Sequence, residues 1–203
     1  PSRSAHDAFG TYGALGTYGA RSAMAPVSLK TSATPPTTAT TAPPTVVPTL
    51  SLVVMGRDDM MAAMQVATHD QLPHWAISIG SPRSHGADSA LHILRARLKT
   101  PPGRVLPLRF RDMLGGLDGP RIEHAKAIVG FALKRIGRDL ASGRWLQYDT
   151  DLQPPTLLVH CAWGLSRSTA AALIALSALY GAGREDEAAA AVLTAQPAAS
   201  PNP

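Results

Sequence analysis

The chain has 203 residues, 45% hydrophobic but only 5% aromatic and 16% charged, with 18 prolines, 17 glycines and one cysteine. One cysteine excludes an intramolecular disulfide framework and any Cys-rich zinc module, and no uncharged apolar run reaches the roughly 18–20 residues of a membrane span. The net charge of +5 is mild and carries no dense basic block, so nothing supports nucleic-acid binding.

The first fifty residues hold 10 of the 16 threonines, 7 of the 18 prolines and a single acid, Asp7. The Thr/Ala/Pro/Val run from Thr31 to Pro48 has no periodicity that makes a helix face or a strand, and it cannot bury enough apolar surface to offset chain entropy. Residues 1–49 are therefore expected to be a disordered, low-complexity extension. GTYGA occurs twice, at Gly10–Ala14 and Gly16–Ala20, too little for a repeat architecture. An acid-poor head with Arg3, Arg21 and Lys30 shares features with a transit peptide, but a plain extension is the favoured reading. A cytoplasmic location is expected, with organelle targeting as the alternative; no apolar h-region supports secretion. With no initiating Met and an end at Pro203, the chain is expected to be a fragment at both ends.

From Leu50 the texture changes. Leu50–Met55 (LSLVVM) predicts a buried strand, followed by a helix opening near Asp58 and Asp59, acids that suit a helix N-terminus. Trp75–Ile79 (WAISI) predicts a second strand, and Ser81–Gly86 a loop. Val105–Phe110 predicts a third strand, with Pro107 arguing for an edge or a bulge. Pro120 opens a long helix, PRIEHAKAIVGFALKRIGRDL, with Pro in its first turn and apolar residues at Ile122, Ala125, Ile128, Val129 and Ala132. Residues 141–155 read as a polar loop, Thr156–His160 as a buried strand, Ser168–Tyr180 as an apolar helix ended by Gly181, and Arg184–Ala195 as an Ala-rich helix. Strands alternating with helices predict an α/β domain over residues 50–203, a mostly parallel sheet flanked by helices.

The sole cysteine lies directly after the last strand and before the apolar helix, in TLLVH-CAWGLSRST. His160, Cys161, Gly164, Arg167 and Ser168 form His-Cys-x-x-Gly-x-x-Arg-Ser. A strand, a tight loop and a helix aim backbone N–H groups at an anion. A thiolate at neutral pH needs positive surroundings, which the helix N-terminus, the loop amides and the Arg167 guanidinium supply. The guanidinium fork matches two phosphate oxygens, and the N–H groups of Ala162, Trp163, Gly164, Leu165, Ser166 and Arg167 are candidates for the rest. Gly164 lets the loop turn tightly. Taken alone, Cys161 reads as a buried small hydrophobe and His160 as a satisfied core histidine; together with Arg167 and Ser168 the catalytic reading prevails. Trp163 lines the pocket mouth or simply packs.

These residues resemble the Cys-x5-Arg P-loop of the cysteine-dependent protein tyrosine phosphatase superfamily, His-Cys-x5-Arg-Ser/Thr, and within it small bacterial dual-specificity-like phosphatases. The later stretch PAASPNP is similar to theirs. The resemblance spans about residues 50–203 but is specific only over 156–170. It implies hydrolysis of phosphotyrosine, and of phosphoserine or phosphothreonine in a shallow pocket, through a phosphocysteine intermediate, with no cofactor and no metal. It implies that the Ser168 hydroxyl donates to the sulfur and that His160 orients the loop through the backbone. A further helix usually follows in such relatives, so the domain is expected to be cut short at its C-terminus. The partner is then a phosphorylated protein or a small phosphate ester, with no nucleic acid and no membrane span. The oligomeric state is not legible.

A phosphocysteine enzyme needs a general acid for the leaving oxygen. Resembling phosphatases use an aspartate after the preceding strand and before a long helix. Asp112 occupies that place, and Asp118 is the alternative, with a helix cap as its plainer role. Asp149 and Asp151 precede the last strand and sit toward its wrong end. The five-residue gap from Cys161 to Arg167 argues against a rhodanese ring. The absence of lysine from AWGLS argues against a multiply phosphorylated lipid. A non-catalytic phosphate-binding module is the competing reading.

Overall fold

The computed structural model describes residues 50–82, 85–98, 102–113, 118–147 and 154–200. The extension 1–49, Asp149 and Asp151 lie outside these residues. Four strands make one sheet: β1 (Ser51–Gly56), β2 (Trp75–Gly80), β3 (Val105–Arg109) and β4 (Thr156–Cys161). Their spatial order is β1-β4-β2-β3, and every pairing is parallel. The fold is α/β, as the alternation of strands and helices predicts.

Helices α1 (Arg57–Val66) and α2 (His85–Arg97) cover one face. The other face carries α3 (Ile122–Phe131), α4 (Arg138–Ala141), α5 (Arg167–Tyr180) and α6 (Glu185–Ala195). β4 lies between two neighbours and under helices on both sides, which is why TLLVHC is apolar without alternation. Leu157, Val159 and Cys161 point toward α5, whereas Leu158 joins Met60, Met64, Ala90 and Leu94 under α1 and α2. Each fully buried Leu or Val contributes about 1.5–3 kcal/mol relative to exposure.

The edges behave differently from the centre. β1 is an edge strand with alternating burial, not the fully buried strand its apolar run suggested, because α1 and α2 only half-cover Val53 and Met55. β3 is the opposite edge, and Pro107 is exposed there, where its missing N–H costs no ladder bond.

Further differences are local. α2 was not legible as a helix, and it begins at His85 inside the segment expected to be loop. The long helix starts at Ile122, with Arg121 as its N-cap, so Pro120 precedes it and Asp118 is not its cap. Ile122 is 63% exposed, since six residues place it about 240° round the helix from buried Ile128. Between α3 and α4 the chain widens into a π-helical segment, Ala132–Gly137, which keeps both Ala132 and Ile136 buried against α5. Part of the expected 141–155 loop is a 3-10 turn, Arg144–Gln147.

Candidate active site

All the chemistry-bearing residues follow carboxyl ends of strands, where open parallel sheets bind ligands. Arg57 follows β1, Ser81 follows β2, Phe110 and Asp112 follow β3, and Cys161 ends β4, with the loop to Arg167 directly after it. Gly164 is the pivot of that loop. Its φ is +78°, and a Cβ there would lie 2.5 Å from the Met55 carbonyl carbon and 2.6 Å from the Gly56 nitrogen. Only glycine fits both the conformation and the approach to the end of β1.

Cys161 ends β4 and is buried. Its Sγ accepts from the Gly164 backbone N–H at 3.2 Å, and the Ser168 Oγ lies 3.3 Å away. Burial is the largest single influence on the thiol and pushes it up. Donation from the Ser168 hydroxyl and from the Ser168, Gly164 and Trp163 backbone outweighs burial, and the thiol settles below its ordinary value. The structure thus brings Cys161, Gly164 and Ser168 together.

Arg167 opens α5 and is 7% exposed. One terminal nitrogen donates to the Phe110 carbonyl at 2.9 Å and to Ser81 Oγ at 3.3 Å. The ends of β2 and β3 therefore aim the guanidinium, while its buried Nε has no hydrogen-bond partner among the described residues.

His160 lies on the opposite face of β4 from Cys161. Its Nε2 is 2.8 Å from Ser78 Oγ on the neighbouring strand, at the register position directly opposite. Burial drives its pKa down to about 4; an interaction with the Cys161 backbone opposes this in part, and the Arg57 charge adds to it. A neutral, buried His160 adjoins the loop from behind.

The two candidate acids part company here. The Ser166 hydroxyl donates to Asp112 Oδ1 at 2.7 Å, so Asp112 sits against the Cys-containing loop although its side chain is exposed. Asp118 instead closes its own loop: its carbonyl accepts from the Arg111 N–H at 2.6 Å, and its carboxylate lies 3.5 Å from Arg111 Nε. Beside Asp112 lies a cavity of about 120 Å³ walled by Phe110, Pro120, Ile128 and Ile174, with Ser166 and Arg167 also lining it.

Of the remaining loop residues, Trp163 is 81% exposed at the surface and packs into no core. The Ala162 carbonyl accepts from the Arg57 N–H at 3.1 Å. The Thr169 hydroxyl lies 2.7 Å from both the Leu165 and Ser166 carbonyls. Sequence reasoning missed Ser78, Ser81, the Phe110 carbonyl, Arg57 and Thr169. It also missed two contacts from beyond α6, Gln196 Nε2 to the Gly164 carbonyl at 3.4 Å and the Ser200 N–H to the Leu165 carbonyl at 2.9 Å. Apart from Thr169, which directly follows the Arg-Ser pair, and Ser200, which lies in the PAASPNP stretch, these positions carry no local signal, since each contact is created by the sheet order or by a chain reversal. Among the described residues no three His, Cys, Asp or Glu side chains gather as a metal site, and no helix is long and apolar enough to cross a membrane.

Comparison with family models and with curated proteins returns no match. Five chains of known structure match. One is described as "Crystal structure of Tk-PTP in the active form", with a TM-score of 0.42 and 18% identity, covering 75% of this chain and 83% of that one. At that similarity the functional reading rests on the geometry of the loop itself.

Proposed function

We propose that the protein is a cysteine-dependent phosphatase that hydrolyses phosphotyrosine, and also phosphoserine or phosphothreonine, through a phosphocysteine intermediate. The observation that carries this reading is the environment of Cys161. Its sulfur ends a parallel strand at the mouth of a helix, accepts N–H and O–H donors, and has its pKa drawn down despite burial. A structural core cysteine would be pushed up instead.

In the proposed reaction the Cys161 thiolate attacks phosphorus, the P–S bond forms, and the bond to the ester oxygen breaks. Protonated Asp112 gives its proton to the departing oxygen. Water then attacks the phosphocysteine, Asp112 takes a proton from it, the P–S bond breaks, and inorganic phosphate leaves. The Ser168 hydroxyl stabilises the sulfur as it departs. The unpaired Nε of Arg167 and the loop N–H groups hold the equatorial oxygens, where preorganised donors act most strongly in the transition state. The apolar wall beside Asp112 suits an aryl ester or the flank of a phosphopeptide.

Turnover of aryl phosphates by the parent chain, Cys161→Ser, Asp112→Asn and Asp118→Asn tests the scheme. Cys161→Ser should abolish turnover while retaining vanadate binding. Asp112→Asn should lower kcat by about 10²–10³ on phenyl phosphate, and much less on an activated ester whose leaving group needs no proton. Asp118→Asn should stay within about twofold, as expected of a loop-closing residue. No turnover by the parent, or equal losses for both aspartates, would overturn the assignment. Phosphotyrosine and phosphothreonine peptides compared on the parent test the dual specificity.

A further inference from the structure

We propose that the chain beyond α6 is a positioning element for the anion-binding loop, with Gln196 setting the direction of one loop amide. The inference rests on the phosphatase reading and extends it to residues far from the Cys-x5-Arg motif.

A trans peptide unit is planar, and its C=O and the next N–H point in opposite directions. Fixing a loop carbonyl on the outside therefore aims the following N–H inward. The loop shows this relation at its first peptide: the Arg57 N–H holds the Ala162 carbonyl at 3.1 Å, and the N–H of the same unit, that of Trp163, acts on the Cys161 sulfur. Two later carbonyls, those of Gly164 and Leu165, are held from beyond α6. Gln196 Nε2 reaches the Gly164 carbonyl at 3.4 Å, which directs the Leu165 N–H to the other side. The Ser200 N–H holds the Leu165 carbonyl at 2.9 Å, helped by the Thr169 hydroxyl at 2.7 Å.

The placement of Gln196 is itself determined. α6 packs on the core through Ala188, Ala191 and Val192, and the Gln196 N–H caps it by bonding the Val192 carbonyl at 2.8 Å. Ala199, bonded back to the Gln196 carbonyl at 2.9 Å, packs on the same core and brings Ser200 under the loop. Gly164 has no Cβ and a positive φ, so its peptide with Leu165 is intrinsically the freest to rotate. An external donor on that carbonyl is the contact that would decide its orientation.

The sulfur and the anion depend on different peptides, which gives the proposal a signature. The donors to Cys161 are the Ser168 hydroxyl and the Ser168, Gly164 and Trp163 backbone, none of which belongs to the Gly164–Leu165 unit. In the full chain, Gln196→Met keeps the side-chain length and removes the donor, whereas Gln196→Lys supplies a donor again. Vanadate inhibition, turnover of an aryl phosphate, and the pH midpoint of Cys161 alkylation are the readouts. Gln196→Met should weaken vanadate inhibition about 5- to 30-fold, the range expected when a charge-assisted hydrogen bond is misaimed, and should leave the alkylation midpoint in place. Gln196→Lys should recover most of the loss. Vanadate inhibition within twofold of the parent in Gln196→Met would overturn the proposal. So would a parallel shift of the alkylation midpoint without rescue by Gln196→Lys, since that marks a general loosening of the domain. A parent chain that neither binds vanadate nor turns over phosphate esters would sink the phosphatase reading itself. A parent that does both beside an unaffected Gln196→Met sinks only the role of Gln196.

Discussion

Gly164→Ala separates two reasons for a glycine, because the chain holds a second glycine with only one of them. Gly103 and Gly164 have nearly the same φ, +79° and +78°, but nothing lies within 4 Å of a Cβ at Gly103. At Gly164 a Cβ would meet the Met55 carbonyl carbon at 2.5 Å, the Gly56 nitrogen at 2.6 Å and the Met55 oxygen at 2.9 Å, all backbone. The left-handed conformation costs alanine about 1–2 kcal/mol, against about 0.4–1 kcal/mol returned by a stiffer unfolded chain. Gly103→Ala should therefore destabilise by about 0–1.6 kcal/mol. Gly164→Ala adds an overpacking cost of about 1–3 kcal/mol, because neither β1 nor the loop can retreat without breaking the Arg57–Ala162 bond. At about 2–4 °C per kcal/mol for a domain of this size, thermal unfolding should fall by a few degrees for Gly103→Ala and by about 5–15 °C for Gly164→Ala. The displaced Gly164 N–H should also release the sulfur, so the pH midpoint of Cys161 alkylation should rise in Gly164→Ala and stay fixed in Gly103→Ala. Equal melting losses with an unchanged alkylation midpoint would refute the claim that close backbone contact fixes the loop.

Two further outcomes follow from the groups around Cys161. Ser168→Ala removes the hydroxyl donor 3.3 Å from the sulfur, so the thiol should titrate higher in iodoacetamide alkylation, and phosphocysteine breakdown should slow more than its formation; an unmoved titration would show that the hydroxyl is not a donor to sulfur. His160 has a pKa depressed by burial to about 4 against an ordinary 6.5, so between those values the unfolded chain binds more protons and stability rises with pH. The penalty, complete below about pH 4, is on the order of 3 kcal/mol. Denaturant unfolding across that window should be flatter for His160→Gln, and an identical slope would place the titrating group elsewhere.

The legible part of the molecule was what one stretch of chain can encode. TLLVH followed by Cys, Gly, Arg and Ser states a strand, a tight turn and a helix start, and the structure assembles them in that order. Pro107 likewise marked its strand as an edge. The illegible part depends on which strand lies beside which. Ser78 faces His160 only because β2 is inserted between β4 and β3. Ser81 and the Phe110 carbonyl hold Arg167 only because β2 and β3 end on the same rim. α2 escaped because the Pro, Ser and Gly residues of the Ser81–Gly86 stretch read as turn signals and run into its first turn. Asp118 read as a cap because of its position before Pro120, yet its carbonyl accepts from the Arg111 N–H and its carboxylate lies beside the Arg111 guanidinium.

The distribution of these contacts bears on how the loop can work. A thiolate needs donors turned inward, and the same peptides then turn carbonyls outward that need partners of their own. Three separate parts of the fold meet that need: the start of α1 at Ala162, the first turn of α5 at Leu165 and Ser166, and the chain after α6 at Gly164 and Leu165. Of the three, α5 also supplies donors to the sulfur, the Ser168 hydroxyl and N–H. A loop held only by its own helix would keep Ser168 and Arg167 in place, yet leave the Gly164–Leu165 unit to rotate about the one residue chosen for freedom. On the proposed reading, the reactivity of Cys161 follows from the Ser168, Gly164 and Trp163 donors, whereas the shape of an anion cradle depends also on the chain after α6, which reaches the Gly164 and Leu165 carbonyls.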